Sequence, residues 1–232
     1  MATGWSDILT AAMVIIDDIR WRDDLATDPA LFYRAKSDYV RSALAKMNRP
    51  PELYAYLLSG KSEPQFGATE WTSDELSTEQ ETEFYTGFIG YDLCSVASYS
   101  ADGTKLTAYT DFEYNSETGY VYFAQQQSAG ITYSIDFYTD GEFPTLTPAQ
   151  MDIFALAVAI VWDQRMDRNW LNLQAKIHDS SFTTPSEGTY AEKINQRLMR
   201  NIQLFRDALT KYEQDCAYYG RFKQGDSSII LI

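Results

Sequence analysis

Few residues in this chain are of the types that do chemistry, and their spacing assigns them none. His178 is the only histidine. It falls near the end of an expected helix, where the helix dipole favours a cation. With no second histidine and no nearby cysteine it predicts no metal site, and with no GxSxG turn it predicts no nucleophile elbow. A surface histidine at a helix end is the expectation. Cys94 and Cys216 lie 122 positions apart without a CxxC pattern. That predicts two free, buried thiols in a reducing compartment. Carboxylates adjoin at Asp17-Asp18 and Asp23-Asp24 and cluster at Glu79, Glu81 and Glu83. Neighbours at i and i+1 point to different sides of a helix, so adjacency makes no acid–base dyad. Asp102, Asp111, Glu113, Glu117 and Asp140 lie near turns, but no DxDxDG loop accompanies them to hold calcium. The GFIG within FYTGFIGYD lacks the GK[ST] of a phosphate loop. The expectation is therefore no catalytic residue, no cofactor and no metal.

The bulk numbers narrow the function classes further. The chain has 232 residues, 45% apolar and 15% aromatic, enough to bury a sizeable core. Its net charge of −14 argues against gripping nucleic acid through phosphates. The charge is also split. From Ser62 to Gln164 there are 17 acids and a single base, Lys105, whereas the remainder holds 16 acids and 18 bases. A solvated acidic face is the default reading. The sharper one is a surface that repels an anion, as a channel passing DNA without adhesion requires. No basic, apolar leader opens MATGWSD, and the longest apolar run, IFALAVAIVW at 153–162, is too short to span a bilayer. A cytoplasmic place of assembly and no membrane insertion are expected.

The elements that would position these residues fall in three blocks. Trp5, Ile8, Leu9, Ala12, Met13, Ile16 and Ile19 recur at steps of three and four, predicting one helix that Asp17-Asp18 and RWRDDLATDP terminate. Asp28 then caps a second helix with Pro29 at its first position, and PELYAYLL predicts a short third. Residues 60–83 lack a period and read as a linker, with one helical turn at most in SDELSTEQ. From Phe84, strands LCSVASYS, KLTAYTDFEY, YVYFAQQ and ITYSIDFYTD separated by turn residues predict a four-stranded antiparallel meander. In the last, Ile131, Tyr133, Ile135 and Phe137 share one face, and Thr132, Ser134 and Asp136 the other. Thr147-Pro148-Ala149-Gln150 is a capping box for a helix with Met151, Phe154, Ala155, Val158 and Trp162 on its buried face. Thr189 to Glu192 is a second box, opening a helix that carries Tyr190, Ile194, Leu198, Ile202, Phe205, Leu209, Tyr212, Cys216 and Tyr219; the spacing alternates four and three over its second half, a narrow seam, and Gly220 is its C-cap. The fold class predicted is α+β: a bundle of long helices with an inserted antiparallel β-meander and an extended C-terminal arm. The domains are 1–59 (helices), 60–83 (linker), 84–144 (β insert), 145–219 (two long helices) and 220–232 (arm).

Two features point outward. Tyr99, Tyr109, Tyr114, Tyr120, Tyr122, Tyr133 and Tyr138 cluster in the predicted sheet. Tyr is a good strand former and a common interface residue; a carbohydrate platform is the more distant alternative. The chain stops on Ile229, Ile230, Leu231 and Ile232 after a polar hinge, GRFKQGDSS. Burying all four is worth about 6–12 kcal/mol, and ordering six residues costs about as much. Such an arm is marginal alone and useful in a repeated assembly. It can add to a sheet of its own chain or, as we favour, of a neighbour.

The opening WSDILTAAMVIIDD and DPALFYRAKSDYVRSALAKMNRPPELYAYL resemble the first helices of tailed-phage head-to-tail connector proteins. ITYSIDFYTDGEFPTLTPAQMDIFALAVAIVWDQRMDRNW is similar to the join between β insert and long helix in such proteins, most nearly the ring proteins of crAss-like short-tailed bacteriophages. The resemblance covers most of the chain as layout and transfers no functional residue. It implies a virion structural protein at the head–tail junction, not an enzyme. About twelve copies would form a homo-oligomeric ring beneath the portal, touching neighbouring connector or tail proteins and passing DNA, with the arm clamping an adjacent subunit. The alternative is a carbohydrate- or host-surface-binding module using the Tyr-rich sheet.

Overall fold

The computed structural model describes residues 2–72, 83–99, 105–107, 112–124, 131–177 and 187–223. In chain order the elements are β1 (Thr3–Gly4), α1 (Trp5–Ile16), α2 (Ile19–Thr27), α3 (Pro29–Leu44), α4 (Pro51–Leu58), β2 (Gln65–Thr72), β3 (Glu83–Tyr85) and β4 (Leu93–Tyr99). There follow β5 (Lys105–Thr107), β6 (Phe112–Asn115), β7 (Tyr120–Phe123), β8 (Thr132–Thr139), β9 (Glu142–Phe143), α5 (Pro148–Ile177) and α6 (Glu187–Lys223). The class is mixed α+β, with antiparallel sheets.

The helical part is built around α5. Its capping box forms reciprocally: Thr147 N–H donates to Gln150 Oε1 (2.8 Å) and Gln150 N–H to Thr147 Oγ1 (3.3 Å). From Ile153 to Trp162 every side chain but Leu156 is buried, so the helix is covered nearly all round rather than on one face. Met151, expected on that face, is only half-buried. α1, α3 and α6 supply the cover. Among the described residues no helix is long and apolar enough to cross a membrane.

The predicted first helix is two helices. Asp17 adopts the left-handed conformation (φ 47°) and ends α1, and the Asp18 carboxylate then caps α2 by accepting from Arg20 N–H (3.0 Å). RWRDDLAT is therefore helix rather than terminator, and the turn throws Ile19 out to 70% exposure. What holds α2 is Trp21, fully buried and edge-on to Phe32 and Trp162. α3 begins as predicted, with Pro29 at its start and Asp28 accepting from Leu31 N–H (3.1 Å).

The β part departs most from expectation. The strands do not form one meander. β8 is the centre of one sheet, ordered β2-β8-β4-β5, while β3-β7-β6 form a second. β8 pairs on both edges, with β2 on one side and β4 on the other, rather than closing a meander. KLTAYTDFEY divides between the two sheets as β5 and β6. Gln65–Thr72, within the stretch read as linker, is a full strand paired with β8 from Gln65↔Thr139 to Thr72↔Thr132. Its own apolar alternation is weak, and pairing with β8 decides its state. The SDELSTEQ turn lies outside the described residues.

The two sheets pack face to face over an aromatic core. Trp71 stacks on Phe84 (5.1 Å), Phe123 (5.5 Å) and Tyr133 (5.3 Å). Phe88 lies on Phe137 at 4.6 Å, and a Cβ on Gly67 would meet the Phe88 ring at 2.5 Å, so glycine is what lets that ring lie flat. The other face of β8 was expected to be solvent-facing and is covered by α3. Asp136 is buried and pairs with Arg34 (3.0 Å), Ser95 Oγ accepts from Ala30 N–H (3.0 Å), and Tyr33 stacks on Tyr138 (5.0 Å).

One joint locks the sheets to the helices. β1 pairs with β9, and Phe143 of β9 enters the helical core between Trp5 (5.4 Å) and Phe154 (5.1 Å). Gly4 offers no side chain to cap α1. Asp140, 134 residues beyond Ser6, does so, accepting from Ser6 N–H (3.3 Å) and Ser6 Oγ (2.5 Å). The same carboxylate accepts from the Tyr138 hydroxyl (2.6 Å), which burial pushes well above the usual phenol range.

α5 and α6 form an antiparallel pair. α6 starts at Glu187, two residues before the predicted box, where an acid suits the helix dipole. It runs through Gly220 to Lys223 rather than capping there; a glycine inside a helix costs only about 1 kcal/mol.

Candidate functional site

The residues singled out for chemistry are scattered among structural tasks. Asp17 pairs with Arg22 (2.7 Å) and Asp18 with Arg20 (2.6 Å), whose hydrogen bond holds the Asp18 carboxyl below its ordinary value. Asp24 meets Lys36 at 3.5 Å. Cys94 is buried, which pushes its thiol up; Cys216, expected buried, is exposed because α6 has left α5 behind at that point. Asp140 is a helix cap, and Glu117 stands in the β6–β7 turn. Among the described residues no group of three or more His, Cys, Asp or Glu could hold a metal. His178, Glu79, Glu81, Asp102, Asp111 and the arm residues Ile229, Ile230, Leu231 and Ile232 lie outside the described residues.

The tyrosines do not make a seven-membered platform. Tyr133 and Tyr138 are core residues, and Tyr114 turns inward, its hydroxyl donating to Phe88 O (2.9 Å). Side chains alternate along a strand, so one strand sends neighbours to opposite faces. Tyr109 lies outside the described residues, and of Tyr99 only the strand backbone is described. Tyr120 and Tyr122 remain on the outer face of the β3-β7-β6 sheet, joined by Tyr85, whose position two residues before Gly87 gave no signal of its own. Tyr85 packs on Tyr120 at 5.1 Å and Tyr120 on Tyr122 at 6.0 Å. The strand register sets Tyr122 between Glu83 of β3 and Glu113 of β6, and Tyr120 between Tyr85 and Asn115. This is an aromatic ladder edged by carboxylates, with Ile89 exposed in the loop after β3.

The α5–α6 pair carries the second notable surface. Asp163, its side chain 1% exposed, accepts from Arg197 Nε (2.7 Å) and Asn201 Nδ2 (2.9 Å). Arg197 Nη1 also donates to Ile16 O (3.2 Å), tying α6 to the end of α1. Burial pushes the Asp163 carboxyl up, against the pull of Arg197. Farther along, Gln150 Nε2 donates to the Tyr212 hydroxyl (2.9 Å) at the start of α5. On α6, Lys193, Arg200, Leu204 and Lys211 are all exposed, and Lys193 borders the open cleft lined by Asp17, Asp18 and Met166. Their steps of seven, four and seven place them in one stripe. None of the three cations makes an ion pair among the described residues. Asp207 on the same side is engaged by Gln203 Nε2 (2.8 Å). Of the sequence seam, Ile194 is buried and Phe205, Leu209 and Tyr212 pack on the helical core, Cys216 is exposed, and the side chains of Tyr190 and Tyr219 lie outside the described residues. The basic stripe gave no signal because isolated charges on a helix ordinarily mean only solvation. Comparison of the chain with protein-family models, with curated proteins and with solved structures finds no match.

Proposed function

We propose that this chain is a structural subunit of a phage head–tail connector, about twelve copies closing a ring beneath the portal and extending the DNA channel. In this reading the long helices α5 and α6 belong to a bundle packed side by side around the ring. The arm Ile229–Ile232 clamps a neighbour, and the acidic insert keeps passing DNA from adhering. The portal and adjoining connector or tail proteins are its partners. It works at the head–tail junction of the virion, after assembly in the host cytoplasm.

The observation that carries the reading is the reach of α6. Its 37 residues span about 55 Å at 1.5 Å per residue. Tyr212 meets the first turn of α5, so the rest of α6 continues for about 16 Å beyond it. Residues 213–217 there are exposed. A monomer gains nothing from such a projection, whereas a neighbour in an assembly can pack on it. Exposed Val14, Ile19 and Met199 on the helical side support the same view. The resemblance of the opening helices and of the β-to-α5 join to connector proteins points the same way.

Mass measurement of the purified chain, alone and with a portal, tests the reading. A closed oligomer of many copies, or co-purification with the portal, is expected; a strict monomer under virion-like conditions refutes it. Deleting residues 227–232 should weaken assembly and leave the fold intact, and unfolding of the shortened chain would count against the arm.

A further inference from the structure

We infer that the outer face of the β3-β7-β6 sheet docks the basic stripe of α6 from a second copy of this chain. The inference rests on the ring reading and names the contact through which copies join. Its first support is charge. The insert and its flanks hold 17 acids and one base from Ser62 to Gln164, so this face finds its countercharge outside the insert. The rest of the chain carries the excess of bases, and Lys193, Arg200 and Lys211 are exposed without an ion pair among the described residues.

The second support is spacing. Glu83 and Glu113 flank Tyr122 on the two strands either side of β7. Two inter-strand steps of about 4.8 Å set their backbones about 10 Å apart. Lys193 and Arg200 are seven residues apart on one helix face, about 10.5 Å. A helix laid across the strands can therefore bring both cations to both carboxylates at once. Tyr122 lies between them, 39% exposed, where it can receive a guanidinium face or a lysine stem. Apolar surface is offered on both sides: Tyr85 (51%) and Ile89 (55%) on the sheet, Leu204 (43%) on the helix.

The two surfaces are unlike and lie on different elements, so the contact is head-to-tail, the kind that closes rings when its rotation permits. Pairing the sheet face with itself would oppose carboxylates, which disfavours a simple two-fold dimer through it.

The test uses full-length chains carrying Glu83→Lys with Glu113→Lys, or Lys193→Glu with Arg200→Glu, followed by sedimentation velocity. Each variant alone should assemble at least about tenfold more weakly than the parent chain, because like charges then meet at every contact. An equimolar mixture should recover assembly by alternation, since the reversed sheet of one variant complements the reversed helix of the other at one contact and the two unreversed surfaces meet at the next. If either charge reversal perturbs the fold, Glu83→Gln with Glu113→Gln, together with dissociation of the parent oligomer at raised salt, carries the same test. A parent oligomer that the variants leave unchanged overturns this contact and spares the ring. A parent chain that stays monomeric overturns both, and glycan binding by that monomer, lost on Tyr122→Ala, would assign the face to carbohydrate instead.

Discussion

Replacing Arg197 by Met tests how α6 is held. Arg197 is the charge partner of Asp163, whose side chain is 1% exposed, and its loss leaves that carboxylate with Asn201 alone. Stranding one member of a fully buried ion pair costs about 3–5 kcal/mol. Two features reduce this. The Arg197 side chain is 35% exposed, and it lines an open cleft of about 580 Å³ with Ile19 and Met166, through which water can reach the site. We expect a loss of about 2–3 kcal/mol near pH 7. With a urea slope of about 3 kcal/mol per molar, that lowers the unfolding midpoint by roughly 1 M. The loss should also depend on pH in a defined direction. Burial already raises the Asp163 carboxyl above its ordinary value, and removing the cation raises it further. A group with a raised native value holds its proton more tightly folded than unfolded, so stability increases as pH falls through that native value and is lost again as pH rises. Urea curves of parent and variant at about pH 7 and about pH 5 should therefore converge toward the acid side. Equal stability near pH 7, or a loss of the same size at both values, would show that the pair does not clamp α6 as argued.

Further outcomes follow from the other joints. Gly67→Ala should displace the Phe88 ring from Phe137 and cost about 1–3 kcal/mol, read as a lowered melting temperature with altered near-ultraviolet dichroism. Asp140→Ala removes the cap of α1 and strands the buried Tyr138 hydroxyl; a loss of about 2–4 kcal/mol by urea denaturation is expected, against near-neutrality if Asp140 merely decorates the surface. A thiol reagent should modify Cys216 at once and Cys94 only on unfolding, giving one fast equivalent in the native chain and two in denaturant.

The helical caps were legible because they are local. Asp28-Pro29 and Thr147-Pro148-Ala149-Gln150 place donor, acceptor and restricted backbone within four residues, and both form as the sequence indicates. The β character after Phe84 and the identity of β8 were legible for the same reason, since alternation lies within one segment. The partners of β8 were not. Gln65–Thr72 carries little alternation of its own, and its strand state is imposed by pairing across some 70 positions of chain. The acid–tyrosine ladder was half legible. Composition announced tyrosines and acids, but which of them share a face depends on the registers Glu83↔Tyr122 and Glu113↔Tyr122.

By itself, then, the sequence determined the class of the fold, the starts of α3 and α5, and the uneven distribution of charge. These follow from neighbours along the chain, whose geometry peptide bonds already restrict. Tertiary structure alone decided that Asp17 breaks the first helix, that Asp140 caps α1 at Ser6 from 134 residues away, and that Tyr85, Tyr120 and Tyr122 meet on one face with Tyr122 between Glu83 and Glu113. Each needs two distant segments to be brought together. The free energy that does so comes from burying Trp21, Phe143 and Phe137 among many partners at once, a quantity no short window of residues contains.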